Sequence, residues 1–288
     1  MDLHQLFWLL KLGRPKRRAT IYDIRDNVGN YIKEPVFFLS TGRCGTKWFS
    51  DLLSQDRQLA IFHQPIPSFA SQSRVLYELS VSRDVNQKDN CNDCIKEIFW
   101  AGREEYIRYT YKTSKRYVET NNSITFLASA LVDLFPDAKF VHLVRHPGEF
   151  IRSGMSRNYY NGDVFDLMKI VPLKEPYRSK WFEMSQLEKI AWLWNETNLF
   201  IEDALKGVNE NQFVRFNFND LSVSLVEDLI AFLNIDIPTK TLQRAIGKPK
   251  NIQQKHSVSS FQEWKKEDID SVRKITGDLA SRYGYAFS

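Results

Sequence analysis

One loop concentrates the side chains that could do chemistry on an anion. It reads STGRCGTKW, from Ser40 to Trp48, and sets Gly42 and Gly45 where a backbone can curl close to a ligand. Arg43 adds a permanent cation and Thr46 a hydroxyl donor. Consecutive N–H groups in such a turn, ahead of a helix N-terminus, form a cradle for a phosphate or sulfate. A plain strand-to-helix turn uses the same residue types, so the loop alone leaves both readings open. It is not the Walker loop of nucleoside triphosphatases, which needs a Gly-Lys-Ser/Thr ending; here Lys47 follows Thr46 and precedes Trp48. Cys91 and Cys94 are the other pair of ligating type, but no second pair of cysteines or histidines completes a tetrahedral zinc site. Ordinary thiols of a reducing compartment fit them, and no metal is expected.

A cradle needs a strand to deliver it and a helix to close it. Val36 to Ser40 is a compact apolar run that reads as a buried strand, and Trp48, Phe49, Leu52 and Leu53 recur at helical spacing after the loop. The pattern returns at Lys139 to Val144, where Phe140, Val141, Leu143 and Val144 predict a second strand, and Pro147 then suits the first turn of a helix. Ser185 with Glu188, and Ser224 with Glu227, are spaced as capping boxes. Behind the first, Leu187, Ile190, Ala191, Trp194, Asn198, Ile201 and Leu205 keep one helical face; behind the second, Leu225, Leu229, Phe232 and Leu233 do so. Phe213 to Phe218 predicts a further strand between them. Strands alternating with helices imply an α/β fold of three layers around a central, mainly parallel sheet, with ligands at the C-terminal strand ends. No linker divides the chain, so residues 1–34 are expected as an N-terminal extension packed on a single domain, 35–288.

The composition, 43% hydrophobic, is that of a folded protein with a large core. A net charge of +5 is too mild for a dedicated nucleic-acid binder and fits a small anionic ligand. The apolar run Leu6 to Leu12, interrupted by Lys11, is too short to span a bilayer, and the basic cluster Arg14, Lys16, Arg17 and Arg18 follows it instead of preceding it as in a signal peptide. It reads as a first helix on the domain, with contact to a membrane surface or another protein as the alternative. A cytoplasmic location is expected, peripheral to a membrane under that alternative.

The first loop resembles the 5′-phosphosulfate loop of sulfotransferases, whose cytosolic members carry a basic residue, a small residue and Gly-Thr-Thr-Trp. Arg43, Cys44, Gly45, Thr46 and Trp48 fall on those positions; Lys47 departs from the second threonine and brings a mobile point charge in place of a hydroxyl. The resemblance runs from Val36 to Tyr285. It implies that Arg145 and Ser153, eight positions apart in FVHLVRHPGEFIRSGMSR, bind the 3′-phosphate of the nucleotide. The chemistry is sound, since a guanidinium gives a phosphate two hydrogen bonds while a serine on the next helix meets it from another side. Tyr117 to Asn121 looks like the family's strand-end segment, Phe218-Asn219-Asp220-Leu221 resembles its Tyr-Glu-Asp-Met/Leu motif, and Trp264 and Gly284-Tyr285 resemble the C-terminal helix of bacterial members. Trp48, with Phe218 second, would pack on the adenine, though both read equally as core aromatics. The Arg-Lys-Gly signature of the C-terminal nucleotide loop is absent; Lys248, Lys250 and Lys255 are the cations that could replace it. Ser68 to Tyr111 matches nothing in the family.

The resemblance implies transfer of a sulfuryl group from 3′-phosphoadenosine 5′-phosphosulfate to a hydroxyl or amine of an acceptor, with glycans, lipids, phenols and peptides all open. No metal is required if the cradle and Arg43 stabilise the charge growing on the leaving bisphosphate. For the base, the chain offers His63, in the segment where several carbohydrate and protein sulfotransferases place a catalytic glutamate, and Glu119. His63 is favoured as base, with Glu119 orienting the acceptor or the histidine. A nucleotide-dependent kinase and a catalytically silent nucleotide-binding interaction module are the alternatives. The oligomeric state is not legible.

Overall fold

The structure, a computed structural model, describes residues 20–81, 88–247 and 259–287. The N-terminal run with its basic cluster, and Lys248, Lys250 and Lys255, lie outside the described residues. Five strands are described: β1 (Val36–Ser40), β2 (Leu59–Phe62), β3 (Arg116–Glu119), β4 (Lys139–Val144) and β5 (Phe213–Asn217). All their pairings are parallel, in the order β2-β3-β1-β4-β5. The described helices are α1 (Ile21–Asp26), α2 (Val28–Tyr31), α3 (Thr46–Leu53), α4 (Ser73–Val81), α5 (Lys88–Thr113), α6 (Ala128–Leu134), α7 (Pro147–Met155), α8 (Tyr177–Lys180), α9 (Gln186–Ala204), α10 (Val223–Phe232), α11 (Thr239–Ile246) and α12 (Lys266–Arg282).

Alternation along the strands sorts the layers. Phe37, Leu39, Tyr117 and Phe140 face a cluster with Phe99 and Ile107 of α5, Leu131 of α6 and Ile201 of α9. Val36, Phe38, Val118 and Val141 point the other way, to Phe49 of α3, Leu229 of α10 and Leu242 of α11. Both faces of the sheet are covered, which is why its strands read as continuous apolar runs. A third cluster joins Phe150 of α7, Trp194 of α9 and Leu279 of α12. Ile24, Val28 and Ile32, within the expected extension, are buried in the first cluster. Among the described residues no helix is long and apolar enough to cross a membrane.

The capping box at α9 forms as read: Ser185 Oγ accepts from the Glu188 N–H at 3.2 Å, and Glu188 accepts from the Ser185 N–H at 2.8 Å. The box read at Ser224 and Glu227 does not form. Ser222, extended at φ −140° and ψ 164°, is the cap, and its Oγ accepts from the Leu225 N–H at 3.2 Å. A cap must lie outside helical dihedrals, and Ser224 is already inside the first turn; Glu227 instead accepts from Thr239 Oγ1 at 2.6 Å. The apolar face read for α10 packs as expected, Leu229 and Leu233 buried and Leu225 and Phe232 against them, with Val226 and Ile230 added to it. β5 stops at Asn217, and Phe218 opens a short 3-10 turn. The described part of the unmatched stretch carries α4 and most of the 26-residue α5.

Candidate active site

β1 pairs with β4 along its length and with β3 on its other edge, so the loop after β1 leaves the sheet where the strand order diverges. Ligands collect at such a point. The loop turns through left-handed backbone at Gly42 (φ 80°), Arg43 (φ 59°) and Gly45 (φ 91°). A Cβ on Gly45 would stand 2.1 Å from Cε2 of Phe218, so only glycine fits. Gly45 caps α3 with no side-chain hydrogen bond, which leaves the first-turn N–H donors for a ligand.

The second loop interlocks with the first. Arg145, just past β4, donates to the Arg43 carbonyl at 3.1 Å and to Glu149 at 3.1 Å, while its own carbonyl accepts from Trp194 Nε1 at 2.9 Å. Arg43 Nε donates to Ser153 Oγ at 3.2 Å, joining the residues read for the two ends of the nucleotide. Four residues past Ser153, in the turn that follows α7, stands Arg157, which the sequence reading left without a role. Its Nε is buried with no hydrogen-bond partner. Burial lowers the pKa of Arg43, and the charges of Arg157 and Arg145 lower it further. A half-buried guanidinium set against two others, with an orphaned N–H, fits a multiply charged anion. The signal that could have found Arg157 is a second arginine four residues after Ser153, closing the same strand-loop-helix segment.

The remaining loop residues divide. The Cys44 side chain turns into the core, where Sγ donates to the Gly42 carbonyl at 3.0 Å and burial pushes the thiol pKa up to about 11. As a cofactor-binding residue it therefore has only its main chain to offer. Thr46 is buried at the start of α3. Lys47 pairs with Asp51 one turn on, at 2.7 Å. Trp48 is buried, donates from Nε1 to the Ala245 carbonyl at 3.3 Å, and meets the rings of Phe49 and Phe218 edge-on at 4.9 and 6.2 Å. Beside it lies a cavity of ≈ 240 Å³ bordered by Leu52, Gln55, Thr241 and Arg244.

His63 follows β2 and is half-buried. Its Nδ1 lies 2.9 Å from the Thr120 carbonyl and 3.1 Å from Thr120 Oγ1. A carbonyl only accepts, so Nδ1 carries the hydrogen and Nε2 keeps a lone pair. Burial lowers the pKa of His63, the bond to Thr120 opposes this, and Lys47 and Asp51 act in opposite senses. Glu119 is elsewhere engaged, contrary to the expectation that it orients the histidine or the acceptor. It is sealed at 0% side-chain exposure with Arg103. Arg103 donates from Nε at 2.9 Å and from Nη2 at 2.7 Å, Tyr117 from its hydroxyl at 2.7 Å, and Asn121 at 3.1 Å. Every lone pair it could offer a substrate faces a buried donor. The last site residue read from the sequence, Lys255, is outside the described residues.

The fold is α/β around a parallel sheet, and the candidate site sets a glycine loop beside three arginines. The chain belongs to the sulfotransferase family, whose model matches residues 35–238. No curated protein sequence matches it. Among solved structures it is similar to the sulfotransferase domain from the curacin biosynthetic pathway, at 16% identity and TM-score 0.50, covering 88% of this chain and 98% of that one. Sulfotransferase STF9 from Mycobacterium avium has 13% identity and TM-score 0.50 over 94% of this chain and 83% of its own. Mouse sulfotransferase SULT7A1, complexed with PAP, has 13% identity and TM-score 0.50 over 92% and 93%. These likenesses are of fold.

Proposed function

We propose that the chain transfers the sulfuryl group of 3′-phosphoadenosine 5′-phosphosulfate to a hydroxyl or amine of an acceptor. The observation that carries this reading is the bond from Arg43 Nε to Ser153 Oγ beside the unpartnered Nε of Arg157, which gathers cations from both loops at one point. Arg145, Ser153 and Arg157 would hold the 3′-phosphate, and the N–H groups opening α3, with Thr46 and Lys47, the 5′ end. Phe218, wedged against Gly45, and Trp48 border the space for the base. The donor, when bound, supplies the sulfuryl group and the leaving bisphosphate. Arg43 stabilises the charge that grows on that leaving group, as preorganised donors do in other group transfers. His63 takes the acceptor's proton at Nε2, its ring held by Thr120. Glu119 then serves as an anchor for the β3 end. Free thiols at Cys44, Cys91 and Cys94 accord with a reducing, cytoplasmic setting.

Calorimetry with adenosine 3′,5′-bisphosphate and transfer of labelled sulfate into acceptor pools test the reading. Arg43→Ala should lower kcat by about 10² to 10³. If kcat survives and only KM rises, Arg43 contributes ground-state binding and its mechanistic role is wrong. Tight bisphosphate binding without transfer to any acceptor would make the chain a binding module.

A further inference from the structure

A second cavity of ≈ 240 Å³ opens on the other side of the cradle loop. Thr41 and Asn122, Phe126 and Leu193, and Phe165 and Met168 are among the residues that line it. Much of the polar lining is already bonded within the protein. Ser40 Oγ accepts from the Gly42 N–H at 3.1 Å, Thr41 Oγ1 donates to the Gly42 carbonyl at 3.1 Å, and Ser73 Oγ donates to the Phe69 carbonyl at 3.1 Å. Lys169 Nζ is bound to the Phe165 carbonyl and to Asp166 at 3.1 Å each, and lies 4.6 Å from the centre of the Tyr159 ring. A sugar needs a row of free donors and acceptors, whereas this wall chiefly offers hydrocarbon.

The mouth extends the same surface. On the 3-10 turn Val164–Met168, Val164 is 66% exposed, Phe165 62% and Leu167 70%. The turn is clamped in that posture. Asp163 caps it, Asp166 accepts from the N–H groups of Tyr160 at 2.8 Å and Gly162 at 3.0 Å, and the Tyr160 hydroxyl donates to the Ile170 carbonyl at 2.6 Å. Three large apolar side chains held in water beside an apolar cavity are a surface prepared for a ligand.

Resting on the proposed reaction, we infer that the acceptor is an amphiphilic alcohol or phenol whose alkyl or aryl part fills this cavity and whose hydroxyl lies at the Thr41–Asn122 end. Asn122 follows by two residues Thr120, which holds His63. An apolar cavity of about 150 Å³ holds benzene, so this one holds roughly a two-ring aromatic or a chain of about eight carbons. A longer tail would continue over Phe165 and Leu167.

The test uses the full chain with the sulfate donor and a series of n-alkanols from butanol to decanol, beside a soluble oligosaccharide and a tyrosine peptide. KM should fall about fourfold per methylene until the cavity is full and less steeply beyond. Leu193→Trp, which occupies the cavity, should erase the dependence, and Phe165→Ser, at an exposed site that leaves folding intact, should weaken it for the longest chains. Both variants should bind adenosine 3′,5′-bisphosphate as wild type does. Calorimetry with 1-octanol and no donor reads the cavity separately, and heat of binding lost in Leu193→Trp supports the inference. A KM flat along the series, or a preferred saccharide or peptide, with bisphosphate binding intact, overturns the inference and spares the reaction. A wild-type chain that binds no bisphosphate overturns both.

Discussion

Glu119→Gln separates an anchor from a catalyst. In the native chain Arg103 and Glu119 both have 0% side-chain exposure, and the carboxylate receives hydrogen bonds from Arg103, Tyr117 and Asn121. The guanidinium spends Nη1 on the carbonyls of Pro67 at 2.7 Å and Gly102 at 2.8 Å, and its centre lies 4.2 Å from the Phe69 ring. Glutamine turns one acceptor oxygen into an N–H₂ that faces donors, and leaves a buried cation without its counter-charge. Breaking such a pair costs about 3 to 5 kcal/mol. At roughly 2 °C per kcal/mol for a chain of this length, the melting temperature should fall by about 6 to 10 °C. Thermal unfolding followed by circular dichroism measures it. Arg103→Met with Glu119→Leu, which removes both charges, should cost less than the single change, a coupling read from the double-mutant cycle. Well below its melting temperature the Gln variant should bind bisphosphate normally and keep the wild-type pH profile. An unchanged melting temperature with turnover lost would show that Glu119 acts on the substrate and that the argument from burial is mistaken.

Three further outcomes follow from the site. Arg145→Ala and Arg157→Gln should each weaken bisphosphate binding by about 1.5 to 3 kcal/mol, and far more than binding of the analogue lacking the 3′-phosphate; equal losses in calorimetry would remove both from that phosphate. His63→Ala should lower turnover by about 10² to 10⁴ and spare bisphosphate binding. Because burial favours the neutral ring, wild-type kcat/KM should rise with pH through a pKa below the ordinary 6.5, the base being lost to protonation under that pH; a rise centred above 7 would point to another group. Gly45→Ala forces a Cβ at φ 91° into Phe218 and should cost about 1 to 2 kcal/mol for the backbone alone, with bisphosphate affinity reduced as Phe218 is displaced; a variant with native melting and affinity would show that the loop yields more easily than its geometry implies.

Contiguous features were open to a reading of the sequence. The run Val36 to Ser40 is a strand with these bounds, Lys139 to Val144 is another, and Ser185 caps its helix, because burial on both faces, glycine at positive φ and a cap at its helix start each leave a mark within a few residues of chain. What lay beyond was the choice of partner. Ser222 displaced Ser224 as cap because only one of them has extended backbone. Cys44 sits in the cradle motif yet points inward, and Glu119 ends its strand as expected yet is taken by Arg103, a residue of the helix that matched no motif. Arg43 meets Ser153 across 110 positions because β1 and β4 are neighbours in the sheet, an adjacency their apolar patterns do not encode. A local pattern records the backbone and the burial that a residue requires, whereas the group that answers a charge or a hydroxyl is decided by strand order and register, which exist only once the sheet has formed.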